Sequence, residues 1–292
     1  MRKWCFVAVV TMAFASGESR LSAQKQQQVF ISLTAPDGTP VTGLQASDVG
    51  VTEDDVNCKI VKVEPISWPT KLQVLVDNGK ATTNPINPLR DGLKALFDQM
   101  PDGVEMSLYT TAGTPRPIVK PTTDKQKLLD GIGLIASDGG AGMFFDALSE
   151  AAGRIDKDKV PGFPVIVMVG SDTAKVRVLD QEFNKLQQII IDHGVTTHVI
   201  VMTSGTSLGT QAEIGLTVTK LSGGRYEGIT APTRLTTLLT ELGKRIADSQ
   251  ARQSHQYRIT YERPANPKAQ PSIGAVVKRE GAVQLSLRGN LP

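Results

Sequence analysis

The sequence predicts an α/β fold, a doubly wound and mostly parallel sheet inserted in a small β-sandwich formed by N- and C-terminal strands. Three observations predict it. Between about residue 70 and residue 250, short apolar runs alternate with apolar stripes at helical spacing, the signature of βαβ crossovers with helices on both faces of a sheet. Helical periodicity is absent before residue 85 and disappears beyond Arg252, where apolar residues recur with a period of two. Neither flank alone holds enough strands for an independent core, so the two are expected to pack together. The chain divides accordingly into a signal peptide (1–23), a first β segment (24–66), the α/β domain (70–250) and a second β segment (255–292).

The elements follow in order. Arg2 and Lys3 precede an apolar run from Trp4 to Ala15, which gives way to Ser16, Gly17, Glu18, Ser19 and Arg20. A positive start, a short apolar core and small residues after it compose a secretory signal peptide. Spanning a bilayer would take about 20 apolar residues. Cleavage after Ala15 or after Ala23 suits a small-residue site, and the polar Gln24 to Gln28 favours the second; a retained N-terminal anchor is the competing reading. No second apolar run approaches spanning length. The mature chain is therefore expected to be exported, periplasmic or extracellular, with no membrane span.

Val29, Ile31 and Leu33 alternate on one strand face, Pro36-Asp37-Gly38 is a turn signal, and Val56 to Val63 is a β-branched run after the acidic turn Glu53-Asp54-Asp55. Leu72 to Val76 is nearly continuous and apolar, as a strand buried on both faces should be. Leu89, Leu93, Leu96, Phe97 and Met100 then fall at helical spacing, and Pro101-Asp102-Gly103 ends that helix. Val104 to Tyr109 is the next strand. Leu128, Leu129, Ile132 and Ile135 mark a second helix, and Phe145, Leu148, Ala152 and Ile155 a third. Val165 to Val169 is the most hydrophobic strand. Phe183, Leu186 and Ile190 form a helix closed by Gly194, and His198 to Met202 is again a strand. Ile214, Val218 and Leu221 lead to Gly223-Gly224 and a short strand near Tyr226; Leu235, Leu238, Leu239, Leu242 and Ile246 make the cleanest helical stripe. Three alternating runs follow, at Tyr257 to Tyr261, Ile273 to Val277 and Val283 to Leu287.

Composition narrows the function. Hydrophobic residues at 40% and charged residues at 21% give an ordinary globular balance, against wholesale disorder and against a bundle of membrane spans. Aromatics at 5% are too few for platforms that stack bases or sugars. The net charge of +3 comes without clustered cations, so no nucleic-acid partner is implied; Lys120, Lys125 and Lys127 read as solvated charges. Two cysteines and three histidines, without metal-ligand spacing, compose neither a disulfide framework nor a zinc centre. Removing residues 1–23 takes the charge to +1 and leaves Cys58 alone, read as a buried and inert hydrophobe. His198 reads as packing or capping its strand, and His193 as a charge at a helix end.

In open α/β sheets ligands bind outside the carboxyl ends of the strands. The loops to inspect are 77–84, 137–143, 170–175 and 203–209. Asp77-Asn78-Gly79-Lys80-Ala81 is neither a Walker loop nor a dinucleotide fingerprint, and no GxSxG elbow is present. No catalytic residue and no cofactor is assigned, and the chain is expected not to be an enzyme.

The order of elements over about 70–250 resembles a von Willebrand factor type A domain, a Rossmann-like fold. That family carries a strand ending in Asp-x-Ser-x-Ser which, with a distant Thr and a further Asp, holds a divalent cation. Hydroxyls and carboxylates are hard oxygen ligands suited to Mg²⁺. Here Leu72 to Asp77 matches the strand and its Asp, and Gly139 to Leu148 resembles the family's Gly-Gly-Thr-x-Leu-Tyr-Asp-Ala-Leu stretch. Ser171-Asp172 resembles the second acidic position, and Leu221 to Tyr226 the Thr-Gly-Gly-Arg-Tyr/Phe region. Gly79 and Ala81 stand where the family has its serines, and Gly142 where it has Thr, so the resemblance implies a degenerate site and no bound metal. Lys80, inside the motif loop, opposes a cation further. The flanks sharpen the likeness. Asp37 to Leu44, Asp48-Val49, Val51 to Asp54, Gln256 to Tyr261, Ala275 to Arg279 and Leu287-Arg288-Gly289 resemble motifs of the acidobacterial VWFA-related proteins, which are exported and of unassigned activity.

The resemblance implies an exported, non-enzymatic module that binds a protein partner of unknown identity. Candidate partner-binding residues are Asp77, Asn78, Lys80, Met143, Phe144 and Asp172, with Met143 or Phe144 expected to be exposed as an anchor. Two alternatives stand beside it: a metal-dependent adhesion module using Asp77, Ser171 and Asp172 in altered geometry, and a hydrolase of unknown substrate.

Overall fold

The computed structural model describes residues 26–37, 39–80, 85–172, 178–203, 209–253, 256–266 and 271–288, with 283–288 described by backbone alone. The expected signal peptide, Ala81 and Gly289 lie outside the described residues. In chain order the regular elements are β1 (Gln26–Thr34), β2 (Val49–Glu53), β3 (Val56–Ile66), β4 (Thr70–Val76), α1 (Ile86–Asp98), β5 (Glu105–Thr110), β6 (Arg116–Thr122), α2 (Lys125–Gly133), α3 (Phe144–Lys157) and β7 (Phe163–Ser171). They continue with α4 (Asp180–Asp192), β8 (Thr196–Met202), α5 (Thr210–Ser222), β9 (Tyr226–Ile229), α6 (Arg234–Gln253), β10 (Gln256–Glu262), β11 (Ile273–Val277) and β12 (Val283–Arg288).

One sheet runs β6-β5-β4-β7-β8-β9, parallel throughout except for the antiparallel edge strand β6. Strand parity sorts its side chains into two cores. Leu72, Val74 and Val76 of β4, with Val165, Val167 and Val169 of β7, pack beneath α1, α2 and α6. Leu75, Ile166, Met168, Val199 and Val201 pack on the other face beneath α3, α4 and α5. Every residue of β7 is buried, which is why its sequence shows no alternation. Asp124 caps α2 by accepting from the Gln126 and Lys127 amides, and Gly223 closes α5 at φ 68°. A Cβ on Gly224 would stand 1.8 Å from the Thr197 carbonyl oxygen, so the crossing onto β9 requires glycine.

Two strands escape the sequence pattern. Strand β6 carries Pro117 and Pro121 and pairs with β5 through two register shifts, an arrangement that only an edge strand tolerates. Strand β2 is five residues long and too short to show a period of its own.

The β-only flanks meet in a second sheet, ordered β11-β2-β3-β10-β1-β12. The expected sandwich is realised as one curled antiparallel sheet that closes around its own core of Val29, Ile31, Leu33, Val51, Tyr257, Ile259 and Tyr261. Strand β10 sits between β3 and β1, so a strand of the C-terminal flank lies at the centre of N-terminal ones. A buried ion pair ties the same two flanks. The Glu53 side chain is fully buried, accepts from Arg263 Nε at 2.9 Å and from the Tyr261 hydroxyl at 3.2 Å, and so spans 208 residues of sequence. Phe30, Trp68 and Phe163 stack in a tilted row, with centroids 5.9 and 5.7 Å apart, and join the two sheets.

Candidate functional site

Strand β4 delivers Asp77 to the carboxyl edge of the α/β sheet, where the backbone of Asp77 still donates to Val169 O at 2.8 Å. The side chain is 3% exposed. Its Oδ1 accepts from the Gly79 amide at 2.8 Å, and its Oδ2 accepts from the Ser171 hydroxyl at 2.6 Å. Both oxygens are thus engaged within the protein, one by an Asx-type turn and one by the end of β7.

Glycine packs the remaining side. A Cβ on Gly142 would lie 2.3 Å from Asp77 Oδ2 and 2.4 Å from its Cγ. A Cβ on Gly79 would lie 2.7 Å from the Gly140 carbonyl oxygen. Neither position accepts a hydroxyl-bearing side chain while the Asp77 carboxylate and the Gly140 carbonyl stay where they are. The loop 137–143 is held against this edge by Lys80 N donating to Gly140 O at 3.1 Å, Gly113 N to Ala141 O at 3.0 Å and Met143 N to Thr111 O at 2.9 Å.

Asn78 does more than its place in the motif suggested. It is 5% exposed, donates through Nδ2 to Ala136 O at 2.8 Å and accepts at Oδ1 from the Ala112 amide at 3.2 Å. A buried amide therefore pins three loops to one another. The only signal for it in the sequence is a polar residue two places after a buried strand. Outside it, Asp138 accepts from the Gly140 amide at 2.9 Å and pairs with Arg116 at 2.6 Å, and those two contacts, in that order, hold its carboxyl below the usual range.

The predicted residues divide. Asp77, Gly79, Gly142 and Ser171 converge on one point. Asp172 is half-buried, with its amide donating to Met202 O at 3.1 Å. Burial raises the Tyr226 phenol above its ordinary range, and the charge of Asp172 adds to that shift. Lys80 is exposed and Met143 half-buried. Phe144 corrects the sequence expectation. It is 2% exposed and lies against Gly170, because its place at the first turn of α3 faces β7 and not solvent.

His198 corrects the expectation of a strand start: it is the third residue of β8, and its Nδ1 accepts from the Arg225 amide, in the segment leading into β9, at 3.0 Å. Burial, with Arg245 and Arg225 nearby, pushes its pKa down to about 4. His193 ends α4 and sits 3.0 Å from Asp156. Cys58 is half-buried on β3, more open than the sequence implied, and burial raises its thiol.

A divalent cation of the Mg²⁺ type asks for about six oxygens, several from water and one or two from carboxylates. The residues at this edge do not compose such a set as they stand. Asp77 is taken up by Ser171 and Gly79, and Gly142 supplies no side-chain oxygen. Among the described residues no group of three or more His, Cys, Asp or Glu is disposed to hold a metal.

No family model matches the chain, and no curated protein matches it. Solved structures do. A von Willebrand factor type A protein from Catenulispora acidiphila superposes with a TM-score of 0.53 at 10% identity, covering 91% of this chain and 74% of that one. Proximal thread matrix protein 1 of the mussel byssus, a structure with a zinc-occupied MIDAS motif, gives 0.50 at 16% identity over 62% of this chain and 48% of its own. This chain thus spans about half of the mussel protein. The α/β sheet has the von Willebrand type A fold.

Proposed function

We propose that this chain is an exported, non-enzymatic protein-interaction module of the von Willebrand type that engages its partner without a resident metal. The observation that carries the reading is the Asp77 carboxylate, which holds two internal hydrogen bonds and rests on a glycine where the related motif has a hydroxyl. The fold supports an interaction role, since domains of this type present the same sheet edge to other proteins. The N-terminal charge and hydropathy pattern and the likeness of the flanks to exported acidobacterial proteins support export. Among the described residues no helix is long and apolar enough to cross a membrane. At the edge itself, Lys80 is the candidate that reaches the surface, with Met143 and Asp172 partly so.

Titration calorimetry with Mg²⁺ and Mn²⁺ tests the metal clause. The expected result is no saturable uptake by the wild type. Tight uptake lost in Asp77→Ala would overturn it in favour of a metal-dependent adhesion module built on Asp77, Ser171 and Asp172. Hydrolysis in a broad substrate screen, abolished in Asp77→Ala or Asp172→Ala, would overturn the non-enzymatic clause.

A further inference from the structure

The opposite end of the α/β sheet holds a cavity of about 180 Å³, roughly 20 Å along β4 from Asp77. It opens on the face covered by α3. Parity places Lys71, Gln73 and Leu75 of β4 on that face, and the parallel register sets them beside Glu105, Ser107 and Tyr109 of β5. A sheet face beneath a helix is expected to be apolar, and the last of these rungs is. The first two are polar and charged, and the cavity lies over them.

Arg154 of α3 reaches into the same space. Its guanidinium carbon stands 3.9 Å over the centre of the Tyr109 ring, and Nε donates to Gln73 Oε1 at 2.8 Å. The group is fixed by stacking and by one hydrogen bond before any ligand arrives. Nη1 has only a distant neighbour, Glu150 at 3.7 Å, and Nη2 is buried without a partner. Nη2 is closed to water, so an anionic oxygen would meet this partly desolvated cation at the third of the side chain that stays exposed.

The cavity wall carries a second charge, and this one is unmatched. Lys71 is the cation nearest Glu105 in register, but its ammonium goes to Asp158 at 2.6 Å and to Val160 O at 2.7 Å. Among the described residues nothing pairs with the half-buried Glu105. Glu105 lies one rung beyond Gln73 and Ser107, and rungs on one face repeat about every 7 Å. An ammonium and a carboxylate on one carbon span that interval with a hydrogen bond at each end. Ile155, Val160 and Pro164 supply apolar wall. A cavity of about 150 Å³ holds a benzene ring, so the space suits a compact side chain and no more.

We propose that this cavity binds a small zwitterion, an α-amino acid with a short apolar side chain, its carboxylate on Arg154 and its ammonium on Glu105. The proposal does not rest on the reading of the Asp77 edge. Calorimetry with L-valine on the wild-type chain tests it, with acetate and methylammonium as half-ligands. Saturable valine binding below about 1 mM is expected, at least about ten-fold tighter than either half. Glu105→Gln, a change at a half-buried position, is expected to weaken valine at least about ten-fold and to leave acetate unchanged. Arg154→Lys, checked for folding by circular dichroism, is expected to weaken both. No saturable binding of glycine, alanine, valine or leucine to the folded wild type would overturn the proposal. So would acetate binding as tightly as valine, or valine binding indifferent to Glu105→Gln.

Discussion

Gly142 shows how one missing side chain rewrites a site. With no Cβ there, the Asp77 carboxylate moves against the backbone and satisfies itself on Ser171 and Gly79. Gly142→Thr must push that carboxylate away or distort the loop, and an overpacked site of this kind costs about 1–3 kcal/mol. A lowered urea midpoint with unchanged slope is the expected result. His198 sets a pH dependence with a definite sign. Its pKa is about 4 folded against about 6.5 unfolded, so the unfolded chain binds the proton first. The contribution is complete above pH 6.5 or so, is lost as pH falls toward about 4, and amounts to about 3 kcal/mol over that window. Urea midpoints from pH 7.5 to 4 in wild type and His198→Gln would show it as a slope that the variant lacks. At this scale the sequence was legible only where a residue type has one use. The Asp77 position could be read; the partner of His198 and the burial of Phe144 could not, because the one depends on where the chain before β9 runs and the other on how α3 docks on β7.

Turns and caps decide the elements. Asp54 and Asp55 join β2 to β3 at φ 50° and 65°, a two-residue turn with both positions left-handed, where glycine is favoured at the second. Asp55→Gly is expected to raise stability by about 1 kcal/mol, measured as a higher thermal midpoint, because a side chain in that conformation is strained. The hairpin was half legible: the acidic turn and the β-branched run after it were plain, while β2, with five residues, showed no pattern of its own. Helices with a strong apolar stripe, such as α1 and α6, were read from spacing alone. Strand β6 was invisible because prolines and register shifts erase alternation.

At the scale of the whole molecule, the second sheet is assembled from both flanks, and Glu53 with Arg263 and Tyr261 is its innermost tie. Glu53→Ala removes the carboxylate that the Arg263 guanidinium pairs with and the acceptor of the buried Tyr261 hydroxyl, and is expected to cost about 3 kcal/mol. Glu53→Gln keeps a partial acceptor and should cost less, which chemical denaturation of the pair would show. Composition and the loss of helical period beyond Arg252 made the pairing of the flanks legible; the strand order was not, since nothing local says that β10 lies between β3 and β1.

That order also has a consequence in time. A ribosome delivers β1 and β3 first, and β10, the strand both need, only about 190 residues later. At about 5–20 residues per second the wait is on the order of 10–40 s, during which two strand edges stand open. All six strands and six helices of the α/β part are complete before β10 begins. The nascent chain therefore finishes its middle before its beginning, and the folded middle, by holding the end of β3 next to the start of β10, turns a closure across some 190 residues into a local step.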